Sequence, residues 1–199
     1  MSKILSFDEA VAALANGEVV ALPTDTVYGV GAAINKVSVA KVFALKQRPQ
    51  DVALPVLVCC VEQALELGVS WSESAQLLSD AFWPGPLTIV VSGPSDLAET
   101  IGSTTQSVGL RMPNNEVLLG VLKNGPLCVS SANNHGETPC ETAQQALDVF
   151  NGREVFSGVL DGGTCRGEVS TVVDVTGENW KILRNGALTE QEIAHVLVK

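Results

Sequence analysis

The sequence predicts an α/β fold: a single domain built on one mixed, largely parallel sheet with helices on its faces. Strand-like and helix-like patterns alternate along the chain, which is typical of a sheet covered by helices. The last third is rich in short strand patterns, so the sheet should be mixed rather than purely parallel. The chain has 199 residues, of which 46% are hydrophobic, enough for one packed core.

Local signals mark the first elements. Ser6 and Glu9 have the spacing of a capping box, and the alanine-rich stretch after them predicts a helix ending before Gly17. Residues 19–22 form a continuous apolar run that stops at a proline, as expected for a buried strand. Residues 37–46 predict a second helix.

The same periodicities define the remaining elements. We predict strands at 54–60, 87–92, 127–130, 155–160, 171–175 and 181–183. We predict helices at 62–67, 73–82, 116–123 and 142–150, and a last helix opened by a second capping box at 189–192. No internal repeat or low-complexity linker interrupts this order, so we expect one domain over residues 1–199.

The charge restricts the function. With 22 acidic and 12 basic residues the formal net charge is −10, which argues against binding an extended nucleic acid, because such binding requires neutralising phosphates. Any anion site must be a local exception. No apolar run approaches the ~20 residues of a membrane-spanning helix. The first residues lack the pattern of a signal peptide, so we expect a cytoplasmic protein.

The five cysteines show no C-x-x-C spacing and match neither a disulfide framework nor a zinc site. Cys59 and Cys60 close an apolar run, and we expect both to be small buried hydrophobic residues. His195 falls in the last helix pattern and is expected on the surface. His135 lies in a polar loop close to Cys140, where a functional role stays open.

Residues 23–31 (PTDTVYGVG) come directly after the first buried strand. Their hydroxyl groups and glycines could hold a small polar ligand close to the backbone. They could equally form an ordinary glycine turn capped by Asp25, and the sequence leaves both interpretations open. The segment is neither a Walker loop nor a G-x-G-x-x-G dinucleotide turn.

Four cations lie where predicted elements end. Lys46 and Arg48 could balance a helix dipole, or both could turn toward a phosphate, with Arg as a bidentate fork. Arg111 and Arg184 each end an apolar strand pattern, so each needs an acidic partner or an anionic ligand. Together the four cations make a carboxylate and polyphosphate ligand plausible.

Small polar side chains lie at two further strand ends. Ser131 and Asn133 come after one strand pattern, and Ser170 precedes another. Such groups offer short hydrogen bonds to an anion, although ordinary turn chemistry also uses them. The sequence shows no paired carboxylates, metal-ligand cluster or Ser-His-Asp grouping. Cations and hydroxyls suit anion binding and charge stabilisation during phosphoryl or nucleotidyl transfer.

Seven short motifs occur in one order along the chain: PTDTVYGVG (23–31), KQRP (46–49), WPGPLT (83–88), LRMP (110–113), SAN (131–133), STVVD (170–174) and LRNG (183–186). Together they closely resemble the YrdC/TsaC family of threonylcarbamoyl-AMP synthases over essentially the whole chain. Each motif is weak alone, and the combination is specific.

The resemblance implies a twisted, mixed sheet with a concave and cationic central cavity. It implies condensation of L-threonine, bicarbonate and ATP into threonylcarbamoyl-AMP and pyrophosphate, with Mg²⁺ accompanying the nucleotide and no dedicated protein metal site. The product would pass to the proteins that transfer threonylcarbamoyl to adenosine in tRNA. The acidic chain itself should bind tRNA weakly or not at all.

Matching positions carry the family's site residues onto this chain. The resemblance assigns L-threonine to Thr26, Arg111 and Ser170, with Arg111 pairing the carboxylate. It assigns ATP to Lys46, Arg48, Ser107, Ser131, Asn133 and Arg184. Lys46 and Arg48 would be catalytic, because they would neutralise the charge that grows on the departing pyrophosphate.

The chain departs from the family pattern at four places. Val52 and Ala53 replace polar or proline positions after the KQRP motif, so one polar ligand contact is missing or comes from backbone or water. Leu57 stands where many members have a histidine in the threonine pocket. Residues 162–169 form a loop one residue shorter than in many members, and we expect no additional C-terminal domain.

Two alternatives remain open. One is a non-catalytic YrdC-like module that binds RNA, against which the net charge of −10 weighs. The other is a carbamoyl-transferring domain for metallocentre assembly, which usually occurs inside much larger chains.

Overall fold

The computed structural model describes residues 2–134, 136–165 and 167–197. The strands are β1 (Lys3–Leu5), β2 (Val19–Leu22), β3 (Gly29–Ala33), β4 (Val56–Leu57), β5 (Leu87–Ser92), β6 (Ser107–Arg111), β7 (Leu127–Ser131), β8 (Phe156–Leu160), β9 (Thr171–Asp174) and β10 (Lys181–Arg184). The helices are α1 (Phe7–Ala15), α2 (Lys36–Lys46), α3 (Val61–Glu66), α4 (Glu73–Phe82), α5 (Ser95–Thr100), α6 (Glu116–Leu122), α7 (Ala143–Phe150) and α8 (Glu190–Leu197). Within the described ranges, no helix combines the length and hydrophobicity that crossing a bilayer requires.

All ten strands join one sheet in the order β1-β8-β2-β3-β7-β4-β6-β5-β9-β10. The predicted mixed α/β sheet is confirmed, but the expectation that it is largely parallel is wrong. The parallel pairs are β1–β8, β2–β8, β4–β6 and β5–β9, and the other five pairs are antiparallel. Short connections such as that from β2 to β3 cannot make the crossover that a parallel pair needs.

Local signals predicted most elements correctly. Ser6 caps α1 through a capping box, with its hydroxyl 3.3 Å from the Glu9 amide nitrogen. The strand predicted at 54–60 is shorter, because only Val56–Leu57 pair with neighbouring strands. The strand β3 begins inside the segment 23–31, which was interpreted as a loop, and extends beyond it; the sequence did not predict β1 or α5.

Both faces of the sheet are covered, because successive side chains of β2 enter different cores. Val19 and Ala21 join a larger core with residues from α2, α4, α7 and α8. Val20 and Leu22 join a smaller core formed with α1 and α6. Helices on both faces, as predicted, therefore enclose the β1–β8–β2–β3–β7 half of the sheet.

The smaller core covers only part of its face. Its strand residues come from β1, β2, β4, β7 and β8. In β6 and β5, Leu110 and Ile89 enter the larger core, so Arg111 and Thr88 point to the opposite face. Beyond α1 and α6 this face therefore carries polar side chains.

Candidate active site

A cavity of about 120 Å³ lies on that polar part of the sheet. It brings together six of the predicted site residues: Thr26, Arg48, Arg111, Ser131, Ser170 and Arg184. The cavity is also lined by Thr24, Thr88 and Tyr28, which no motif assigned to the site individually. Most residues predicted from separate motifs therefore face one volume.

Strand register explains this convergence. Arg111 and Leu57 are the last residues of β6 and β4 and lie opposite each other in the parallel pairing. Ser131 ends β7 opposite Gly29 of β3. β7 runs antiparallel to β4 with Leu57 opposite Leu127, so Ser131 lies farther along β7 than the Leu57–Arg111 pair, and the cavity extends along the face of the sheet between them.

Arg111 is buried and held by three protein groups. Its Nε donates to the Gly85 carbonyl at 3.1 Å, Nη1 to Thr26 Oγ1 at 3.0 Å and Nη2 to Asp25 Oδ1 at 2.5 Å. Burial lowers the pKa of Arg111, and the Asp25 carboxylate opposes that shift. Of the two partners expected for Arg111, an acidic side chain or an anionic ligand, the structure shows the acidic one, Asp25. One N–H on each terminal nitrogen has no protein acceptor among the described residues.

The turn that carries Asp25 and Thr26 is closed by Thr24. The Thr24 hydroxyl accepts from the Thr26 and Val27 amides at 3.0 and 3.1 Å and donates to the Val27 carbonyl at 2.6 Å. Thr26 Oγ1 lies 2.8 Å from Thr24 Oγ1, so it donates there while accepting from Arg111. The cap is therefore Thr24 rather than Asp25, which leaves the Asp25 carboxylate for Arg111.

Arg184 and Ser170 form a second unit of the cavity wall. Arg184 donates to the Ser170 carbonyl from Nε at 3.0 Å and from Nη2 at 2.8 Å, and Nη2 also reaches Ser170 Oγ at 2.8 Å. Ser170 Oγ lies 3.0 Å from Thr88 Oγ1. Although the residue as a whole is exposed, burial of the guanidinium lowers the pKa of Arg184. The two predicted residues are thus in direct contact.

Arg48 approaches the cavity from the end of α2. Gln47 turns the chain with a left-handed φ of 51°, and Arg48 then donates to the Val52 carbonyl at 2.8 Å and the Ala53 carbonyl at 3.1 Å. Val52 and Ala53, the two positions that differ from the family pattern after the KQRP motif, therefore hold the Arg48 guanidinium through their backbone carbonyls. Burial and the positive charge of Arg184 lower the pKa of Arg48. Two guanidiniums that disfavour each other's charge suit an anion between or beside them.

Lys46 is turned toward residues 131–133, and a direct contact with a phosphate stays a prediction from the resemblance. It is buried, and its ammonium donates to the Ser131 carbonyl, to the Asn133 carbonyl at 2.7 Å and to Asn133 Oδ1 at 3.2 Å. These bonds use all three N–H groups. Burial, reinforced by Arg48, lowers the pKa of Lys46 to about 8. Neither Lys46 nor Asn133 lines the cavity; Lys46 instead holds the backbone of Ser131, which does line it.

Arg153, which belongs to none of the seven motifs, also links the end of α2 to the segment after β7. Its guanidinium donates to the Leu45 carbonyl in α2 and, at 2.7 Å, to Asn134 Oδ1, and it lies 5.3 Å from the centre of the Phe150 ring. Two cations, Lys46 and Arg153, thus connect the end of α2 to residues 131–134. A single arginine in a loop gives no sequence signal of such a role.

Ser107 lies apart from the cavity. It begins β6, whereas Arg111 ends it, and its hydroxyl lies 2.9 Å from Thr105 Oγ1 and 3.4 Å from Ser103 Oγ. It does not line the cavity, so its assignment to ATP stays a prediction from the resemblance. His135 falls outside the described residues, and His195 is exposed, as expected.

A larger groove of about 810 Å³ lies between α1, Lys41 and the segment 152–157. The three cations that line it already have partners: Lys3 pairs with Glu9, Lys41 donates to the Gly17 carbonyl at 2.7 Å, and Arg153 makes the bonds described above. The smaller cavity, with its converging hydroxyls and three guanidiniums, is therefore the better candidate for chemistry.

Comparisons with known proteins identify the family of this chain. The Sua5/YciO/YrdC family model, described as "Telomere recombination", matches residues 12–186. The chain belongs to the Sua5/YciO/YrdC family. A family member from Mycobacterium tuberculosis, named putative threonylcarbamoyl-AMP synthase, is 38% identical over 191 residues, which cover 94% of this chain and 87% of the relative. The resemblance predicted from the motifs is confirmed.

Two further comparisons involve longer Sua5/YciO/YrdC proteins. The threonylcarbamoyl-AMP synthase of Pyrococcus abyssi is 36% identical over 91% of this chain and 54% of the relative. The structure of P. abyssi Sua5 complexed with L-threonine superposes with a TM-score of 0.91 at 32% identity, covering 98% of this chain and 60% of that one. The chain thus spans little more than half the length of the Pyrococcus protein.

The Sua5/YciO/YrdC motifs locate one departure inside the cavity. Leu57 is buried, lines the cavity and pairs in register with Arg111. Pro55 and Val129 line the same cavity. The cavity lining therefore combines apolar side chains with the hydroxyls of Thr26 and Ser170, so it suits a small molecule that has both an apolar and a polar part.

Proposed function

We propose that this chain is a threonylcarbamoyl-AMP synthase that condenses L-threonine, bicarbonate and ATP into threonylcarbamoyl-AMP and pyrophosphate. The names of the relatives support this activity. The observation that carries it is the environment of Arg111. Two of its N–H groups remain for a ligand inside a cavity lined by Thr26 and Ser170.

L-threonine fits the chemistry of this cavity. A carboxylate accepts two parallel N–H bonds from a guanidinium, and Arg111 offers one N–H on each terminal nitrogen. Thr88 and Ser170 supply hydroxyls for the amino or hydroxyl group, and Leu57 supplies an apolar contact for the methyl. At about 120 Å³ the cavity is well below the roughly 300–1,000 Å³ of sites for drug-sized ligands, so it suits the amino acid alone.

The reaction proceeds in two steps. The threonine amine attacks the bicarbonate carbon, and loss of water gives a carbamate. A carbamate oxygen then attacks the α-phosphorus of ATP, the bond from that phosphorus to the bridging oxygen breaks, and pyrophosphate departs. The attacking oxygen already carries charge, so the second step requires no protein base. What the protein must supply is orientation and positive charge.

In this proposal ATP, which is too large for the cavity, extends out of it past Arg48, Arg184 and Ser131, which also line it. Each charge-assisted hydrogen bond to a phosphate contributes on the order of 1.5–3 kcal/mol. In this proposal Lys46 acts by positioning Ser131, which revises its expected role as a direct phosphate ligand. Arg48 and Arg184 then carry the charge stabilisation.

Mg²⁺ enters as part of the substrate. Among the described residues, no group of three or more His, Cys, Asp or Glu side chains could hold a metal ion. Asp25, the carboxylate beside the cavity, is engaged by Arg111. This donor set suits a magnesium ion coordinated by phosphate oxygens and water, which would neutralise part of the polyphosphate charge.

The test is pyrophosphate release from ATP with each co-substrate omitted in turn. Release should depend on both L-threonine and bicarbonate, and loss of that dependence would overturn the proposal. Arg111→Lys should weaken threonine binding, because lysine lacks the fork, and Arg48→Ala should weaken ATP binding. Lys181→Ala, which removes an exposed cation of β10, is the matched control and should change neither.

The product should be consumed by proteins that transfer threonylcarbamoyl to tRNA, and we expect this to occur in the cytoplasm. A net charge of −10 opposes direct binding of tRNA. Tight tRNA binding at physiological salt without pyrophosphate release would instead support the RNA-binding alternative.

A further inference from the structure

Cys59 and Cys60 form a pair of neighbouring thiols outside the candidate active site. They lie between β4 and α3 with their Sγ atoms 4.0 Å apart. Both are half-buried, so the expectation that they are buried hydrophobic residues is wrong. The other three cysteines, Cys128, Cys140 and Cys165, are buried.

The spacing of the two thiols suits a shared bound atom better than a disulfide. Consecutive Cα atoms lie about 3.8 Å apart, below the roughly 4.4–6.8 Å that unstrained disulfides span. A sulfur–sulfur bond of about 2.05 Å would also require halving the observed separation. A single atom bonded to both sulfurs holds them farther apart than a disulfide bond does, so bridging by such an atom requires a smaller movement from the observed 4.0 Å.

The surrounding backbone holds the pair in place. The Cys59 amide donates to Gln63 Oε1 at 2.9 Å, and Gln63 Nε2 donates to the Leu122 carbonyl at 2.9 Å. Cys60 is the N-cap residue of α3 but makes no side-chain capping bond, so its sulfur is not used there. Burial raises the pKa of Cys59, which slows thiolate-dependent oxidation.

We propose that Cys59 and Cys60 bind one thiophilic metalloid of the trivalent arsenic class as a two-sulfur chelate. Among the described residues no third His, Cys, Asp or Glu completes a metal site, which excludes a four-coordinate zinc site built by the chain. An organic arsenic(III) oxide needs only two sulfurs. Two As–S bonds replace the As=O bond, and both thiol protons leave with the oxygen as water, without any redox change.

The experiment uses phenylarsine oxide and the reduced full chain, with mass spectrometry under native conditions. One adduct per chain is expected, with the mass of the reagent less one water. Cys59→Ser and Cys60→Ser should each lose it, whereas Cys165→Ala should retain it. An adduct that persists in Cys59→Ser, or none on the wild-type chain, would overturn the proposal.

A second measurement needs no variant. A two-sulfur chelate resists an excess of a monothiol but yields to a dithiol, because only the dithiol replaces both bonds at once. The wild-type adduct should therefore survive 2-mercaptoethanol and disappear with 2,3-dimercaptopropanol. Release by the monothiol would show that only one cysteine is bound and would refute the chelate. Neither measurement depends on the proposed synthase activity.

Discussion

Asp25 and Arg111 form an ion pair with 2.5 Å between Oδ1 and Nη2, although 86 positions separate them in the sequence. Their side chains are only 11% and 7% exposed. Removing one partner of a buried pair leaves an uncompensated charge, so the loss of either partner costs more than the intact pair contributes to net stability. The pair also fixes the guanidinium beside the hydroxyl of Thr26.

Asp25→Asn should lower the free energy of unfolding by about 3–5 kcal/mol, because Arg111 then lacks its buried counter-charge. Urea denaturation monitored by circular dichroism measures this loss. The exposed pair of Lys36 and Glu99 gives the control: Glu99→Gln should have a small effect, because both side chains are mostly in solvent. Equal losses of unfolding free energy in the two variants would show that burial does not make the Asp25–Arg111 pair more costly to break than an exposed pair.

Lys46 should make stability depend on pH. Its pKa falls from the ordinary 10.5 to about 8 in the folded chain. Between these values the unfolded chain binds more protons than the folded one, so the contribution of Lys46 to stability rises with pH. The stability of the wild type relative to Lys46→Met should therefore increase from pH 8 to pH 10. Urea denaturation at several pH values measures this, with Lys181→Met as the control. A stability difference between wild type and Lys46→Met that does not change with pH would contradict the prediction.

Gly186 should tolerate no side chain. A Cβ there would lie 2.4 Å from the Val169 carbonyl oxygen and 2.5 Å from the Ser170 carbonyl carbon, and backbone cannot give way as a side chain can. Gly186→Ala should lower the free energy of unfolding by about 1–3 kcal/mol. It should also displace Ser170 and thereby weaken threonine binding. Gly177→Ala, whose nearest contact is 4.0 Å away, should change neither. Calorimetric titration with L-threonine and urea denaturation measure the two effects.

Arg153 should act on ATP through residues 131–134. If the synthase proposal holds, Arg153→Ala should raise the Kd of ATP about tenfold, comparable to losing one charge-assisted hydrogen bond, and leave that of threonine nearly unchanged. Arg153→Lys, which can reach only one of the two acceptors, should be intermediate. Calorimetry with each ligand separates this positioning role from general destabilisation, which would weaken both ligands together.

The sequence by itself determined the local elements and the family. The capping box of Ser6 and Glu9 needs only neighbours within one turn, and the apolar run of β2 needs only burial. The ordered motifs identified the family, because their combination carries far more information than any single one. Six predicted site residues consequently line one cavity.

Only the tertiary structure decided the partners of the site residues. Gly29 and Gly31 made β3 resemble a loop, yet the glycines are needed because Val129 would lie 2.5 and 2.9 Å from their added Cβ atoms. The pairing of Asp25 with Arg111, and the burial of Lys46 behind Ser131, depend on contacts between distant segments. Local patterns report the conformation of neighbouring residues, whereas the partner of a charge is set by how strands from different parts of the chain align.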